Sequence, residues 1–388
     1  MANKLPEDVV FRTLLSLPVV SLLRFKCVCK SWYALITRHD FIREHIRHHR
    51  SPSNQNKNAL FLLTWRHQNI SDPVFCTFSY PTFQVSDVQP LPPPYVGIDG
   101  ELRVSVVGSC DGLLCLCDAS TQKFFLWNPA TKESNLVPAS IFRGRLCNYR
   151  HYSNAIGFGF DSKTNDYKII RLRLVDSDSS VLHFEIDLYS LSTNSWREVE
   201  NQPWFDVPDF RIYDGLSGTR TYTNGMVSWR AEYQDNFEEV LSFDMSKEVF
   251  LRTPMPDESV IGSAVYESKD LFVLNESVAL AFRIRSEEQS EDWLHILLLG
   301  EYGVEDSWRK IYTLGPLTGL NRVLGSLKDD ALLLENVDGQ MFFYDSSNKV
   351  QKHLPIDGVP MTLRLMTFTE TLLSVPGLLG GGGGERER

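Results

Sequence analysis

Nowhere in its 388 residues does the chain hold an apolar run long enough to cross a bilayer as a helix. Its start, with Lys4, Glu7 and Asp8 close together, lacks the uninterrupted apolar core of a secretory signal. The expectation is a soluble protein of the cytoplasm, with the nucleus as a second location and no membrane partner. Cysteine is sparse: seven residues, an odd number, scattered without a Cys-x-x-Cys pair. That pattern suits a reducing compartment better than a disulfide framework, and it offers no paired zinc ligands. Without an export route, the sequons Asn69-Ile70-Ser71 and Asn275-Glu276-Ser277 are expected to stay idle. Catalytic signatures are missing as well. There is no Gly-x-Ser-x-Gly elbow and no His-Glu-x-x-His, so no catalytic residue is assigned. Gly157-x-Gly159 lacks the third glycine of a dinucleotide fold, and Gly380 to Gly384 is followed by no Lys-Ser or Lys-Thr. No cofactor and no metal is expected.

Positive charge is in short supply overall, at a net −10, but it is unevenly placed. Residues 1–50 carry +5 and the remainder −15. An acidic body repels phosphate, which argues against nucleic acid as its ligand and favours a basic protein partner. A purely solubilising role for the acids is an equal alternative.

The first fifty residues hold an apolar pattern punctuated by two prolines: Leu5-Pro6-Glu7-Asp8-Val9, Leu14-Leu15-Ser16-Leu17-Pro18 and Val28-Cys29-Lys30-Ser31-Trp32. Proline suits the first turn of a helix, where its missing N–H costs nothing, so helices are expected to start near Pro6 and Pro18. Val10, Leu14 and Leu17 fall at i, i+4, i+7, and Val28, Trp32, Leu35 and Ile36 at i, i+4, i+7, i+8, so two apolar stripes are expected. So small a unit has little interior, and some of its large apolar groups should face a partner.

These residues, over about 4–46, resemble the F-box, the helical module that docks onto the Skp-type adaptor of cullin ubiquitin ligases. One departure is Thr13, where that family commonly has Ile or Val. The resemblance implies adaptor contact by Leu5, Pro6, Val9, Leu14, Leu17, Pro18, Leu22, Val28, Cys29, Lys30 and Trp32, and through the adaptor a link to cullin and RING subunits. His45, His48 and His49 lie amid arginines and read as a solvated helix end.

A polar, aperiodic stretch over 50–58 reads as a linker. Beyond it, short runs of Leu, Val, Ile, Phe and Tyr separated by turn residues indicate an all-β domain over 59–376, and 377–388 reads as a disordered Gly-rich tail. The helical module thus occupies 1–49. Repeats narrow the architecture. Phe125-Leu126-Trp127-Asn128, Leu241-Ser242-Phe243-Asp244 and Phe342-Phe343-Tyr344-Asp345 align without a gap, each followed by a polar turn, a short strand and a proline: Pro138, Pro254 and Pro355. Leu188-Tyr189-Ser190 is a looser copy, and Ser195-Trp196-Arg197 matches Ser307-Trp308-Arg309. Units of roughly 50 residues have the spacing of four-stranded propeller blades, so a β-propeller of five or six blades is expected. An irregular two-sheet sandwich is the alternative. Strands at Ala59–Trp65 and Glu370–Val375 are expected to pair and close the ring.

Residues 100–375 also resemble the plant F-box-associated domain, in turns such as Trp127-Asn128-Pro129-Ala130-Thr131 and strands such as Gly157-Phe158-Gly159-Phe160-Asp161 followed by Asp166-Tyr167-Lys168-Ile169-Ile170. The S-locus F-box subgroup, linked to pollen recognition of stylar ribonucleases, is near. The resemblance implies a non-catalytic substrate receptor of an SCF-type ubiquitin ligase. A propeller enzyme or small-ligand sensor whose helical module serves its own regulation is the alternative, and a deep central pocket with convergent polar groups would favour it.

Two long connections supply the substrate-binding candidates. The first carries Trp204, Phe205, Phe210, Arg211 and Tyr213, residue types that anchor protein interfaces; the second carries Glu287, Glu288, Glu291 and Asp292. For the first set, aromatics tucked back onto a blade are an equal alternative. Cys110, Cys115 and Cys117 read as buried blade thiols.

Overall fold

In the computed structural model the described residues are 6–50, 59–66, 73–86, 88–90, 104–118, 122–140, 154–176, 182–200, 210–213, 220–233, 237–257, 260, 266–285, 291–327, 331–345 and 350–375. Four helices come first: α1 (Glu7–Leu15), α2 (Val19–Phe25), α3 (Lys30–Ile36) and α4 (His39–Arg50). Pro6 and Pro18 stand one residue ahead of α1 and α2 as extended N-caps, with φ of −55° and −60°. Glu7 and Asp8 then fill the first turn of α1, where the exposed N–H groups favour negative charge.

Six antiparallel sheets follow, and their innermost strands touch in a closed cycle. Of the five or six blades expected, the fold has six. The inner strands, in ring order, are Arg364–Phe368, Val104–Cys110, Asn154–Asp161, Arg220–Thr223, Tyr266–Leu274 and Leu320–Ser326. Closure differs from the expectation at one end. The expected strand at the start is present, as Ala59–Arg66, the second strand of the first blade, but its partner is Arg364–Phe368, with Leu60 opposite Phe368 and Thr64 opposite Arg364. Residues 370–375 form no strand. They follow the turns of the second blade instead, with Leu372 in the helical core.

The three aromatic-Asn/Asp units fall on the third strands of the second, fourth and sixth blades, Lys123–Asn128, Phe237–Asp244 and Gln340–Asp345, and the looser copy falls on the third strand of the third blade, Leu182–Ser190. The side chain of Asn128 accepts hydrogen bonds from the backbone N–H of Ala130 and Thr131, and Asp244 accepts them from Ser246 and Lys247. Each such turn launches the outer strand. The prolines and tryptophans of the repeats meet across blades: Trp196 Nε1 donates to the Pro138 carbonyl at 2.7 Å and Trp308 Nε1 to that of Pro254 at 2.9 Å. Both pairs latch a blade's outer strand to the blade before it.

Inner strands must also pass close together. A Cβ at Gly157 would lie 2.5 Å from Val227 Cγ1, and one at Gly159 would lie 2.4 Å from the Tyr222 ring, so these glycines admit the neighbouring blade. Cys110, Cys115 and Cys117 are buried in the core shared by the second and third blades. A buried charge network joins blades three and four. Lys168 Nζ donates to Asp161 at 2.5 Å, to Glu248 at 2.7 Å and to the Met245 carbonyl at 3.0 Å. Burial alone would raise the Asp161 pKa, but hydrogen bonds from Lys168 and Thr164 outweigh it and hold the carboxyl well below the usual range.

Candidate functional site

Two ends of the molecule are distinguishable by strand direction. At one, the inner strands finish and the four helices sit; at the other lie the strand ends Arg211, Arg285 and Asp292. The helical end is the better defined.

Its core consists of Leu14, Leu15, Val19, Leu22, Leu35, Ile36, Phe41, Ile42 and Ile46. His45 is also buried, its Nε2–H donating to the Leu17 carbonyl at 2.9 Å just before Pro18. Burial depresses its pKa to about 4, with the Leu17 bond and the neighbouring imidazoles of His49 and His48 as smaller influences. The ring is therefore neutral and structural, not a solvated end of the helix.

Leu14 and Leu22 are at most 1% exposed, which removes them from the expected adaptor surface: their side chains fill the module's own core. The remaining members divide clearly. Pro6, Pro18, Cys29 and Lys30 are exposed, Val9 is 47% and Val28 59% exposed, and Leu17 and Trp32 are half-buried, Trp32 against the ring of Phe25. Val28 precedes α3 in the α2–α3 turn, so it does not share the helical stripe of Leu35 and Ile36. Leu5 lies outside the described residues. Two exposed apolar side chains were not singled out from the sequence, Val20 at 46% and Tyr33 at 56%. The signal was available, since each sits one position beyond a residue that packs inward, Val19 and Trp32. At Thr13 the hydroxyl donates to the Val9 carbonyl at 2.8 Å, a local bond that leaves the residue at the surface.

At the opposite end the candidates separate. Phe210 is buried among Phe184, Ile212 and Trp229, so it belongs to the blade core. Asp292 is fully buried, accepting from the Leu320 N–H at 3.2 Å and lying 3.4 Å from Arg285 Nε, so it ties blade five to blade six. Neither is placed to touch a substrate. Arg211 is exposed and Glu291 half-buried. Trp204, Phe205, Glu287 and Glu288 lie outside the described residues, as does the side chain of Tyr213 in the strand Arg211–Tyr213. At the same end the structure adds Phe237, 65% exposed and stacked on Tyr233 at 5.9 Å, with Arg252 over the Tyr233 ring at 4.6 Å.

The central channel holds a cavity of about 150 Å³, lined largely by aliphatic chains and backbone, with Ser109, Thr221, Ser326 and Arg322 among its polar groups. Arg322 is engaged by Glu335 and the Leu363 carbonyl. Among the described residues, no helix is long and apolar enough to cross a membrane.

Comparison with known proteins agrees with this division. Residues 3–44 match the F-box domain, and residues 81–361 match the F-box associated beta propeller domain. From Arabidopsis thaliana, the F-box/kelch-repeat protein At3g23880 is 26% identical over 361 residues, covering 91% of each chain. The F-box protein CPR1 of the same plant is 27% identical over 374 residues, covering 92% of this chain and 85% of its own. With four helices presenting unburied apolar groups on one end of a six-bladed ring, the chain belongs to the family of F-box proteins with an F-box associated beta propeller domain.

Proposed function

We propose that the chain is the substrate-recognition subunit of an SCF-type cullin ubiquitin ligase, in which the helices bind a Skp-type adaptor and the propeller holds a protein substrate. The observation that carries this reading is the exposure of Val9, Val20, Val28 and Tyr33 on a module whose interior is already filled. The chain makes and breaks no bond in this scheme. Its contribution is to raise the effective concentration of substrate lysines near the conjugating enzyme. A channel cavity of about 150 Å³ is small beside a usual ligand pocket of ~300 Å³ or more, which favours the receptor reading over an enzyme or small-ligand sensor.

Substrate contact is assigned to the end away from the helices, through Arg211, Glu291 and Phe237 together with the connections carrying Trp204, Phe205, Tyr213, Glu287 and Glu288. The acidic balance of the body favours a basic partner, and a stylar ribonuclease is the finer, S-locus version of the same proposal. The test is reconstitution of the full chain with purified Skp-type adaptor, cullin and RING subunits. The expected outcome is one stable complex on size exclusion that transfers ubiquitin to a bound substrate. Failure of the chain to join the adaptor would overturn the assignment.

A further inference from the structure

The segment after the ring-closing strand is engaged on both sides. One side faces the propeller. The Asn128 carboxamide donates from Nδ2 to the carbonyls of Thr371 at 3.0 Å and Leu373 at 2.7 Å. Val375 N–H donates to Glu133 at 3.1 Å, and the Val375 side chain is buried in the core of the second and third blades. Gly112, at φ +79°, admits the chain: a Cβ there would lie 2.1 Å from the Thr369 carbonyl. The other side faces the helices. Leu372, 2% exposed, is part of the helical core, and Leu373 and Ala130 pack against it. The guanidinium of Arg43, on α4, lies 5.9 Å from the Phe160 ring at the end of a blade.

The chemistry of position 128 fits this role and no simpler one. Asp244, its aligned counterpart, performs the same turn by accepting from Ser246 and Lys247, so the turn needs only an oxygen. Asn128 supplies that oxygen to Ala130 and Thr131 and has, in addition, an N–H₂ that a carboxylate lacks. Both of its N–H donors go to the segment.

We propose that residues 369–375 are a brace, held by Asn128, that locks the helical module to the propeller in one orientation. The covalent linker joins the same two units, but the brace sets the angle and separation between them. Asn128 and Leu372 are thus positioning residues. A consequence for ubiquitin transfer, that the substrate is offered at a fixed distance from the conjugating enzyme, rests on the receptor reading above; the brace does not.

The test is a distance distribution by double electron–electron resonance on the full chain alone, with spin labels at Thr37→Cys on the helical module and Lys310→Cys on blade five, both exposed positions. Cys27, Cys29 and Cys147 are replaced by serine; the remaining cysteines are buried. One narrow distance is expected. Asn128→Asp keeps the acceptor of the turn and removes both donors, and it is expected to broaden the distribution at least twofold. Leu372→Ala, which acts from the helical side, is expected to do the same. A broad distribution in the parent chain, or a narrow one in both variants, would overturn the proposal. If Asn128→Asp also lowers the propeller's melting temperature, Leu372→Ala decides. No adaptor enters the measurement, so its failure is separate from failure of the adaptor assignment, which binding tests directly.

Discussion

The helical module and the propeller place their apolar residues differently. In the propeller, the largest apolar side chains of the first, second and third strands are sealed between blades: Trp229, Tyr189, Phe158, Phe243, Phe282 and Phe342 are all below 2% exposure. In the module, nine residues fill a small core while Val9, Val20, Val28 and Tyr33 stay in solvent. A domain that can bury its apolar surface and does so is self-sufficient, whereas one that leaves it out is unfinished until a partner arrives. The difference marks the helical module as the region whose apolar surface exceeds what its own core can take in.

The contrast is sharpest for core truncation. Trp229 is fully buried, and its Nε1 donates to the Ile156 carbonyl at 3.2 Å. Trp229→Ala is expected to cost the propeller about 3–5 kcal/mol, read by urea unfolding, while adaptor binding by the folded fraction is unchanged. Equal loss of adaptor binding in that fraction would mean that the two regions are not separable in this way.

Acid should then separate them by where each fails. His45 is neutral in the folded chain, with a pKa of about 4. An unfolded chain takes up that proton near pH 6.5, so the module's stability is fully present above that value and declines as pH falls to about 4, by up to ~3 kcal/mol. Hydrogen exchange of the α4 amides should follow this window, and His45→Gln should flatten it. The propeller's charged latch responds later. Asp161 has a depressed folded pKa, so its contribution is intact above the ordinary carboxylate range near pH 4 and is lost only as pH falls further, through the folded value. Asp161→Asn should remove part of the propeller's acid sensitivity below pH ~4 and leave the helical window untouched. Coincident acid transitions of the two regions would contradict this ordering.

The smallest effect is expected from the exposed aromatic end. Phe237→Ser should change stability by no more than about 0.5 kcal/mol, as for most surface positions, and yet weaken capture of a substrate once one is in hand. Unaltered substrate affinity would remove Phe237 from the recognition surface.

Much of the propeller was legible because its punctuation recurs. An aromatic residue followed by Asn or Asp returns at the third strand of three blades, as Trp127-Asn128, Phe243-Asp244 and Tyr344-Asp345, and a turn of that chemistry leaves a mark in sequence that does not depend on distant contacts. The closing strand was misplaced because Arg364–Phe368 and 370–375 both hold large apolar side chains, and local pattern does not say which will find Ala59–Arg66. Leu372 and Leu373 look like strand residues and instead meet helices more than 300 residues earlier in the chain. The same long-range packing decided the docking surface. Leu14 and Val9 are equally apolar and lie on one helix, but Phe41, Ile46 and Leu372 close over the cluster that holds Leu14, and Val9 is left out. Phe210 takes the second of the two outcomes left open for its connection, since a long connection does not announce which of its aromatics turns back onto the blade.

The central claim is that the exposed apolar groups of the helical module exist to be covered by a Skp-type adaptor. Isothermal titration of that purified adaptor into the full chain, with and without Val9→Asp and Val28→Asp together, tests it most directly. Because both side chains are largely in solvent, the double variant should keep its helicity and melting temperature while its affinity falls at least ~100-fold, the effect of placing two unpaired carboxylates in a desolvated contact. Adaptor affinity within about twofold of the parent chain, with the module folded, would contradict the account.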